Sequence, residues 1–522
     1  MSTDKIKKSS NVASVGKVSA ATAVSRVLGL VREQVQAYLF GASMATDAFV
    51  AAFRIPNLLR DLFAEGALSA AFVPVFKEQL VTDTDQSAFD LACTVATAIM
   101  LVVGGVVLLG IVATPVLIFV SANGFTNDPE KFTLTVEMTR IMWVFLLLVS
   151  LSALFMGMLN SFGRFGIPAL SPALFNLGII GCAVLMYRWL DVPVYAMAIG
   201  VVVGGLGQLL ILLPQLRQTG FRFRWRFNFL DQNFRRVMKL FVPMVVGLSA
   251  SRVNILVSTL LASYLAEGSI SYLNYSFRLM HFPLGVFGVA LGTVYLPNAS
   301  ELAARKEMDR LTAAFHESIN LNMFLVVPSA VFLALMGREL VDVVYRMGEF
   351  SEADTTNTAI ALFHYSYGLI GFAAVRVTVP IYYALKDSSL PMRFSVISVV
   401  VNIALYYPLM KMFSFAGLAA ATSIAGLVNF GLLLGFLPRK QVQPAYGRLL
   451  LVFLRVTLAS VVAFWLASML PIPSPDSWSD KIQRIWEFGI RTCAGTVLYL
   501  ALCAVLRVQE LQLVINKLIR HK

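Results

Sequence analysis

The chain reads as long apolar blocks separated by short polar breaks. Runs such as Ile99–Val120 and Met142–Leu159 are continuous rather than alternating. That excludes the every-second-residue pattern of an outer-membrane barrel and points to helices that cross a hydrocarbon layer. Roughly 20 apolar residues make one crossing. The pattern predicts fourteen spans, at 14–39, 44–80, 88–120, 133–160, 166–188, 193–216, 237–265, 270–300, 313–336, 356–385, 391–411, 415–437, 449–470 and 487–506. The first two are poorer in apolar residues than the rest. The second is too long for one straight helix and is interrupted by LRDLFAEG, Leu59–Gly66. Polar, broken spans survive only where they face protein or a water-filled cavity. The expected fold is an all-α polytopic membrane protein.

Composition agrees. Of 522 residues, 58% are apolar and only 14% charged, with a mean hydropathy of +0.76. A soluble domain carries about 25% charged residues, so too few remain here to clothe a water-facing surface. An ordinary soluble enzyme is excluded. Cys93, Cys182, Cys493 and Cys503 fall inside apolar runs at no metal-ligand spacing, and read as packing residues. The start, MSTDKIKKSS, is followed by Lys17, Arg26 and Arg32 rather than a clean apolar core, so no cleaved signal peptide is expected.

The net charge of +13 must be placed before it means anything. With a cytoplasmic N-terminus, 24 of the 42 Lys and Arg fall in cytoplasmic segments and seven on the opposite side. That asymmetry supports the span count and puts both termini in the cytoplasm. The densest cluster, RQTGFRFRWRFNF (Arg217–Phe229), has the arginine–aromatic interleaving of a nucleic-acid patch. A topogenic loop touching anionic lipid headgroups is the better reading, so membrane lipids and no nucleic acid are expected as partners. Eleven basic residues remain within or at the ends of spans: Lys17, Arg26, Arg32, Arg54, Arg60, Arg140, Arg252, Arg278, Arg376, Arg455 and Arg491. Each costs about 2.5–3.5 kcal/mol to insert, so the set needs a reason.

An internal repeat supplies part of it. Ser25-Arg26-Val27 recurs as Ser251-Arg252-Val253, Phe53-Arg54 as Phe277-Arg278, Pro74 as Pro297 and Pro168 as Pro391. The offsets are nearly constant, between 223 and 226. Two six-helix halves follow, an N-terminal lobe at 1–222 and a C-terminal lobe at 223–445, with two added helices at 446–522. An even helix count gives both halves the same orientation, and transporters with parallel repeats bind substrate between the halves near the midplane.

Equivalent helices would then aim Arg26, Arg32 and Arg54 from one half, and Arg278 from the other, at a central cavity, with Arg60 and Arg376 as further candidates. Guanidinium groups fit phosphate oxygens in a planar fork and keep their charge, so such a cavity attracts a polyanionic headgroup. The bland reading pairs each arginine with Asp47, Asp61 or Glu65 and locks helices together, and it weighs most for Arg60 beside Asp61. Asp47, Arg54 and Asp61 are seven apart and share a face of a continuous helix, which Pro56 is expected to interrupt. Gly29 is expected to leave room beside Arg26. His281 follows Arg278 by three residues as a polar neighbour or a titrating coupling residue. Asn402 is a further cavity candidate. Arg140, Arg455 and Arg491 read as snorkelling residues. No metal cluster, phosphate-cradling loop or nucleophile with a positioned base is evident, so neither an enzyme nor a bound cofactor is expected. Membrane potential or an ion gradient remains as the energy source, at about 2.3 kcal/mol per charge per 100 mV.

SRVLGLVRE (Ser25–Glu33), FGASMATDAFVAAFRIPNLLRDLFAEGALSAAFVPVF (Phe40–Phe76) and FPLGVFGVALGTVYLP (Phe282–Pro297) resemble the MurJ/MviN family over essentially the whole chain. Those proteins are bacterial lipid II flippases of the multidrug/oligosaccharidyl-lipid/polysaccharide exporter superfamily. The resemblance implies a cytoplasmic-membrane protein that moves undecaprenyl-diphosphate bearing a disaccharide-pentapeptide to the periplasmic leaflet by alternating access. It implies that Arg26, Arg32 and Arg278 are the cavity arginines and that Arg54 and Arg376 stand where a basic residue is usual. Arg60, Asp47 and Glu65 fall on family motif positions, the latter two with His281 as gating or coupling residues. Phe277 and His281 depart, standing where the family carries acids. The added helices would form a groove for the isoprenoid tail, and cell-wall synthesis proteins are further expected partners. The alternatives are a flippase for another polyprenyl-diphosphate-linked oligosaccharide, a drug-cation exporter of the same superfamily, which the arginine excess disfavours, and a non-transporting membrane scaffold.

Overall fold

The computed structural model describes residues 3–63, 67–473, 475 and 477–520. Its helices are α1 (Thr3–Phe40), α2 (Met44–Phe63), α3 (Ala67–Thr82), α4 (Asp85–Ser121), α5 (Pro129–Ser161), α6 (Gly166–Met186), α7 (Tyr195–Leu210), α8 (Leu212–Arg217), α9 (Gln232–Ala262), α10 (Ser269–Pro283), α11 (Val289–Ala304), α12 (Met308–Leu335), α13 (Gly337–Tyr345), α14 (Glu352–Ala384), α15 (Ser389–Phe413), α16 (Phe415–Phe436), α17 (Tyr446–Ser468), α18 (Asp480–Val505) and α19 (Gln509–Arg520). Among the described residues there is no strand. Among the described residues helices occupy every predicted span, and ten are long and apolar enough to cross a membrane. The described parts of the predicted spans 14–39, 44–80, 237–265 and 270–300 are helical but more polar. These are the spans in which most of the internal charge was found.

The predicted eighth span is carried by α10 and α11, joined by a π-helical turn at Leu284–Gly288. Pro283 supplies the reason, since it has no N–H for the helix ladder. Helices α3 and α11 are both 16 residues long, with Pro74 and Pro297 inside them. By packing, the chain forms two compact units, Met1–Gly268 and Ser269–Lys522. The repeat boundary at 222/223 and the packing boundary differ by one helix, because α9 packs on α2, α3 and α4.

In the first unit α6 and α7 meet along glycine. Gly200 and Gly204 lie one turn apart on α7, and a Cβ at Gly204 would stand 2.4 Å from the Phe175 carbonyl oxygen. Helices in lipid lack a hydrophobic force between them, and small residues that bring backbones close compensate through dispersion contacts. Helices α2, α5 and α6 share a ring cluster, with Phe53 stacked on Phe49 and Phe175 and close to Phe145. Trp143 of α5 lies against Gly110 of α4 and donates to Thr114 Oγ1 at 3.0 Å. The outer side of α4 exposes Leu108, Leu109, Val112 and Val116, as expected for a lipid-facing surface.

In the second unit α14 packs against α10, α11, α12 and α16. The added helices are part of this unit's core. Val456, Ala459 and Ala463 of α17 and Tyr499 of α18 are buried with Phe324 and Val327 of α12, and Tyr499 donates to the Phe324 carbonyl at 2.7 Å. The outward face of α17 carries Leu450, Leu454, Leu458 and Trp465, all exposed.

Candidate substrate site

Helices α1 and α2 carry the first set of site residues. Arg26 is exposed on α1. Gly29 faces α6 rather than opening room for Arg26: its nearest neighbour is the Asn176 amide, which also donates to the Ser25 carbonyl at 3.2 Å. Arg32 is mostly covered and donates to Glu33 Oε1 at 3.2 Å. Gly41 ends the helix at φ +58°, a conformation that glycine adopts without steric cost. Helix α2 runs unbroken through Pro56, contrary to the expected interruption, so Asp47, Arg54 and Asp61 do share one face. Phe53, held in the ring cluster, fixes the rotation of α2 and leaves half-buried Arg54 on an adjacent face. Arg60 pairs with Asp61 at 3.0 Å. Glu65, Gly66 and the side chain of Arg252 lie outside the described residues.

Asp47 has a different partner from those the sequence suggested. Its Oδ2 takes the Lys131 ammonium at 3.0 Å and the Gly268 N–H at 2.9 Å, all buried. Lys131 also stands over the Phe125 ring at 4.4 Å. Around this pair the Met44 N–H donates to Glu267 Oε1, the Gly124 N–H to Ser263 Oγ, and Tyr264 Oη–H to Asn123 Oδ1. The turn after α1, the turn after α4 and the segment after α9 are thereby clamped at one end of the unit. Lys131 lies just before the predicted span 133–160. The overlooked signal was Asp128-Pro129, an N-cap followed by proline at N1, which starts α5 earlier and puts Lys131 in its first turn.

Helices α10 and α14 hold the second set. Arg278 and Arg376 are both exposed, and both lie within electrostatic range of His281. The His281 ring packs on Phe277 at 4.1 Å between centroids, and Phe277 meets Tyr365 of α14 edge-on at 5.4 Å. Phe277 and His281 are thus in contact, one turn apart, flanking Arg278. The π-helical turn begins three residues after His281, a feature found disproportionately at functional positions. Helix α11 reaches α14 closely, since a Cβ at Gly292 would meet the Arg376 carbonyl at 2.8 Å. Asn402 is not with this group: it is buried between α15 and α16, donating to Tyr406 Oη at 3.1 Å. Arg491 donates to the Leu470 carbonyl and lies beside Glu487, and Arg140 reaches the Ile111 carbonyl. Among the described residues no group of three or more His, Cys, Asp or Glu could hold a metal ion.

Each unit therefore presents guanidinium groups from helices too polar to be ordinary lipid-facing spans. Together with the apolar helices, they define a multi-pass α-helical membrane transporter. The family model described as lipid II flippase MurJ matches residues 36–478. The chain is 36% identical over 441 residues to the lipid II flippase MurJ of Burkholderia cenocepacia, covering 82% of this chain and 84% of that one. It is 32% identical over 504 residues to the probable lipid II flippase MurJ of Haemophilus influenzae, covering 94% and 98%. A solved structure of lipid II flippase MurJ in an inward closed conformation superposes with a TM-score of 0.78 at 25% identity, covering 94% of this chain and 98% of that one. An inward-facing multidrug-resistance MATE transporter of the MOP superfamily shares the fold, with a TM-score of 0.67 at 12% identity over 80% and 94% of the two chains. The chain belongs to the MurJ family.

Proposed function

We propose that this chain flips lipid II from the cytoplasmic to the periplasmic leaflet. Family membership supports the substrate, and the grouping of Arg278, His281 and Arg376 on α10 and α14 carries the chemistry. The lipid II headgroup joins its sugar to the lipid through a diphosphate. Exposed arginines in polar helices supply the fixed, forked donors that such an anion takes. Arg26, Arg32, Arg54 and Arg60 are the matching set from the first unit, with Arg32 and Arg60 moderated by Glu33 and Asp61.

Transport proceeds by alternating access with both termini in the cytoplasm, the polar spans 14–39, 44–80, 237–265 and 270–300 crossing the membrane as well. The buried Asp47–Lys131 pair and its neighbouring bonds hold the end opposite the cytoplasm as a gate. Glu65 belongs to the same gating set by its motif position. His281, stacked on Phe277, puts no acid beside Arg278 and Arg376, and transport is coupled to the membrane potential or an ion gradient. The exposed apolar face of α17 guides the isoprenoid tail. Cell-wall synthesis proteins are the partners that supply and consume the substrate.

Complementation of a strain depleted of its flippase tests the proposal. The wild-type gene restores growth and Arg278→Ala does not, although the variant protein inserts at normal levels. Full growth with Arg278→Ala removes the role given to that arginine.

A further inference from the structure

The loop between α8 and α9 carries the chain's densest mixture of arginine and aromatic side chains, and the proposed transport site does not include it. It is not loose. Cys93 Sγ donates to the Arg222 carbonyl at 3.7 Å, the Arg226 N–H donates to Thr97 Oγ1 at 3.2 Å, and the Arg226 guanidinium pairs with Asp90 at 2.6 Å. Phe221 is buried beneath, against Phe89 and Phe155. From this anchor alternate residues form a ladder of rings: Phe223 on Trp225 at 5.3 Å, Trp225 on Phe227 at 6.2 Å, Phe227 on Phe229 at 6.3 Å. Trp225 is 59% exposed and Phe227 64%. The intervening Arg222 and Arg224 are exposed as well.

Beside the ladder lies a polar cleft of about 220 Å³, lined by Thr84, Ser87, Thr94, Arg226, Asn228 and Asn233 among others. Its two carboxylates are already engaged. Asp90 is held by Arg226 and Gln86, and Asp231 accepts the N–H groups of Asn233 and Phe234. The cleft thus offers hydroxyls, amides and a guanidinium edge. One turn past Thr97, α4 exposes Leu101 and Val102, so the ladder sits where the helix's apolar outer surface begins. Rings at such a boundary, flanked by cations, match the region where acyl chains meet phosphates.

We infer that this ladder and cleft bind an anionic phospholipid of the leaflet facing the loop, with the rings among the upper acyl chains. Its phosphate lies against Arg222 and Arg224, and a hydroxylated headgroup such as glycerol occupies the cleft. The inference does not rest on what the protein transports.

The test uses the full-length protein in phosphatidylcholine vesicles containing either brominated phosphatidylglycerol or brominated phosphatidylcholine, and reads tryptophan quenching. The difference between wild type and Trp225→Phe isolates the ladder's signal. Two arginines near an anionic surface correspond to a preference of roughly tenfold or more. The Trp225 signal is therefore quenched much more strongly by the brominated phosphatidylglycerol, and Arg222→Gln/Arg224→Gln makes the two lipids equal. Equal quenching in the wild type overturns the proposal, because the loop is then an unselective interface. No quenching of Trp225 overturns it too, since the rings then face water. So does binding of a short fluorescent oligonucleotide that the double variant loses while its lipid quenching is unchanged. If the double variant fails to insert, the wild-type comparison of the two lipids still decides.

Discussion

Replacing Lys131 with Met takes the ammonium from Asp47 while keeping most of the aliphatic stem. The pair is 3.0 Å apart, with side chains only 10% and 2% exposed. At an effective dielectric of 20 the attraction across that distance is about 5 kcal/mol. Breaking a buried pair by removing one partner costs about 3–5 kcal/mol, because the remaining charge stays desolvated. Asp47 would keep the Gly268 N–H, which moderates the loss. A unit of this size loses about 2–4 °C of melting temperature per kcal/mol, so Lys131→Met lowers the midpoint by about 6 °C or more. Adding Asp47→Asn removes the stranded charge and recovers much of the loss, since an uncharged amide still accepts from Gly268. The assay is thermal unfolding of the purified protein across wild type, both single variants and the double. A shift under about 2 °C for Lys131→Met, or a double variant as unstable as that single, refutes the reasoning.

Gly204→Ala places a methyl 2.4 Å from the Phe175 carbonyl oxygen and costs about 1–3 kcal/mol of thermal stability, whereas Gly431→Ala, with open space around it inside α16, is neutral or stabilising by up to about 1 kcal/mol. Equal melting points for the two would contradict the glycine seam. Lys440 and the Ser389 hydroxyl hold the Asp387 carboxyl well below the usual carboxylate range. A depressed folded-state value means the stabilisation is full above the unfolded pKa near 4 and is lost as pH falls through the folded one. The melting difference between wild type and Asp387→Asn is therefore constant from neutral pH down to about 5 and shrinks only in stronger acid; a difference already gone by about pH 6 sinks the assignment. Arg26→Lys impairs complementation more than Arg455→Lys does, because only Arg26 is asked to offer a bidentate fork. Equal growth of the two strains counts against it.

Much of the architecture was legible because lipid imposes simple rules. Continuous apolar blocks gave the helices. What was not legible depends on tertiary neighbours. The partner of Asp47 is 84 residues away in sequence, and no spacing rule connects them. Gly200 and Gly204 look like any apolar stretch until α6 is seen against them. Pro56 read as a break, yet α2 continues, since a single missing N–H is tolerated in a packed helix. The added helices read as an appendage, but Val456 and Tyr499 belong to the core of the second unit. Deleting 446–522 would uncover α12, so substitutions on the exposed face of α17 are the cleaner probe of the proposed path for the isoprenoid tail.

The most direct measurement is translocation of labelled lipid II in vesicles reconstituted with the protein, with and without an imposed potential, for wild type and Arg278→Ala. Wild type makes the label accessible on the far side and the potential changes the rate; Arg278→Ala, equally incorporated, gives the rate of protein-free vesicles. Wild-type translocation no faster than protein-free vesicles contradicts the transport claim, and wild-type rates from Arg278→Ala contradict the arginine site.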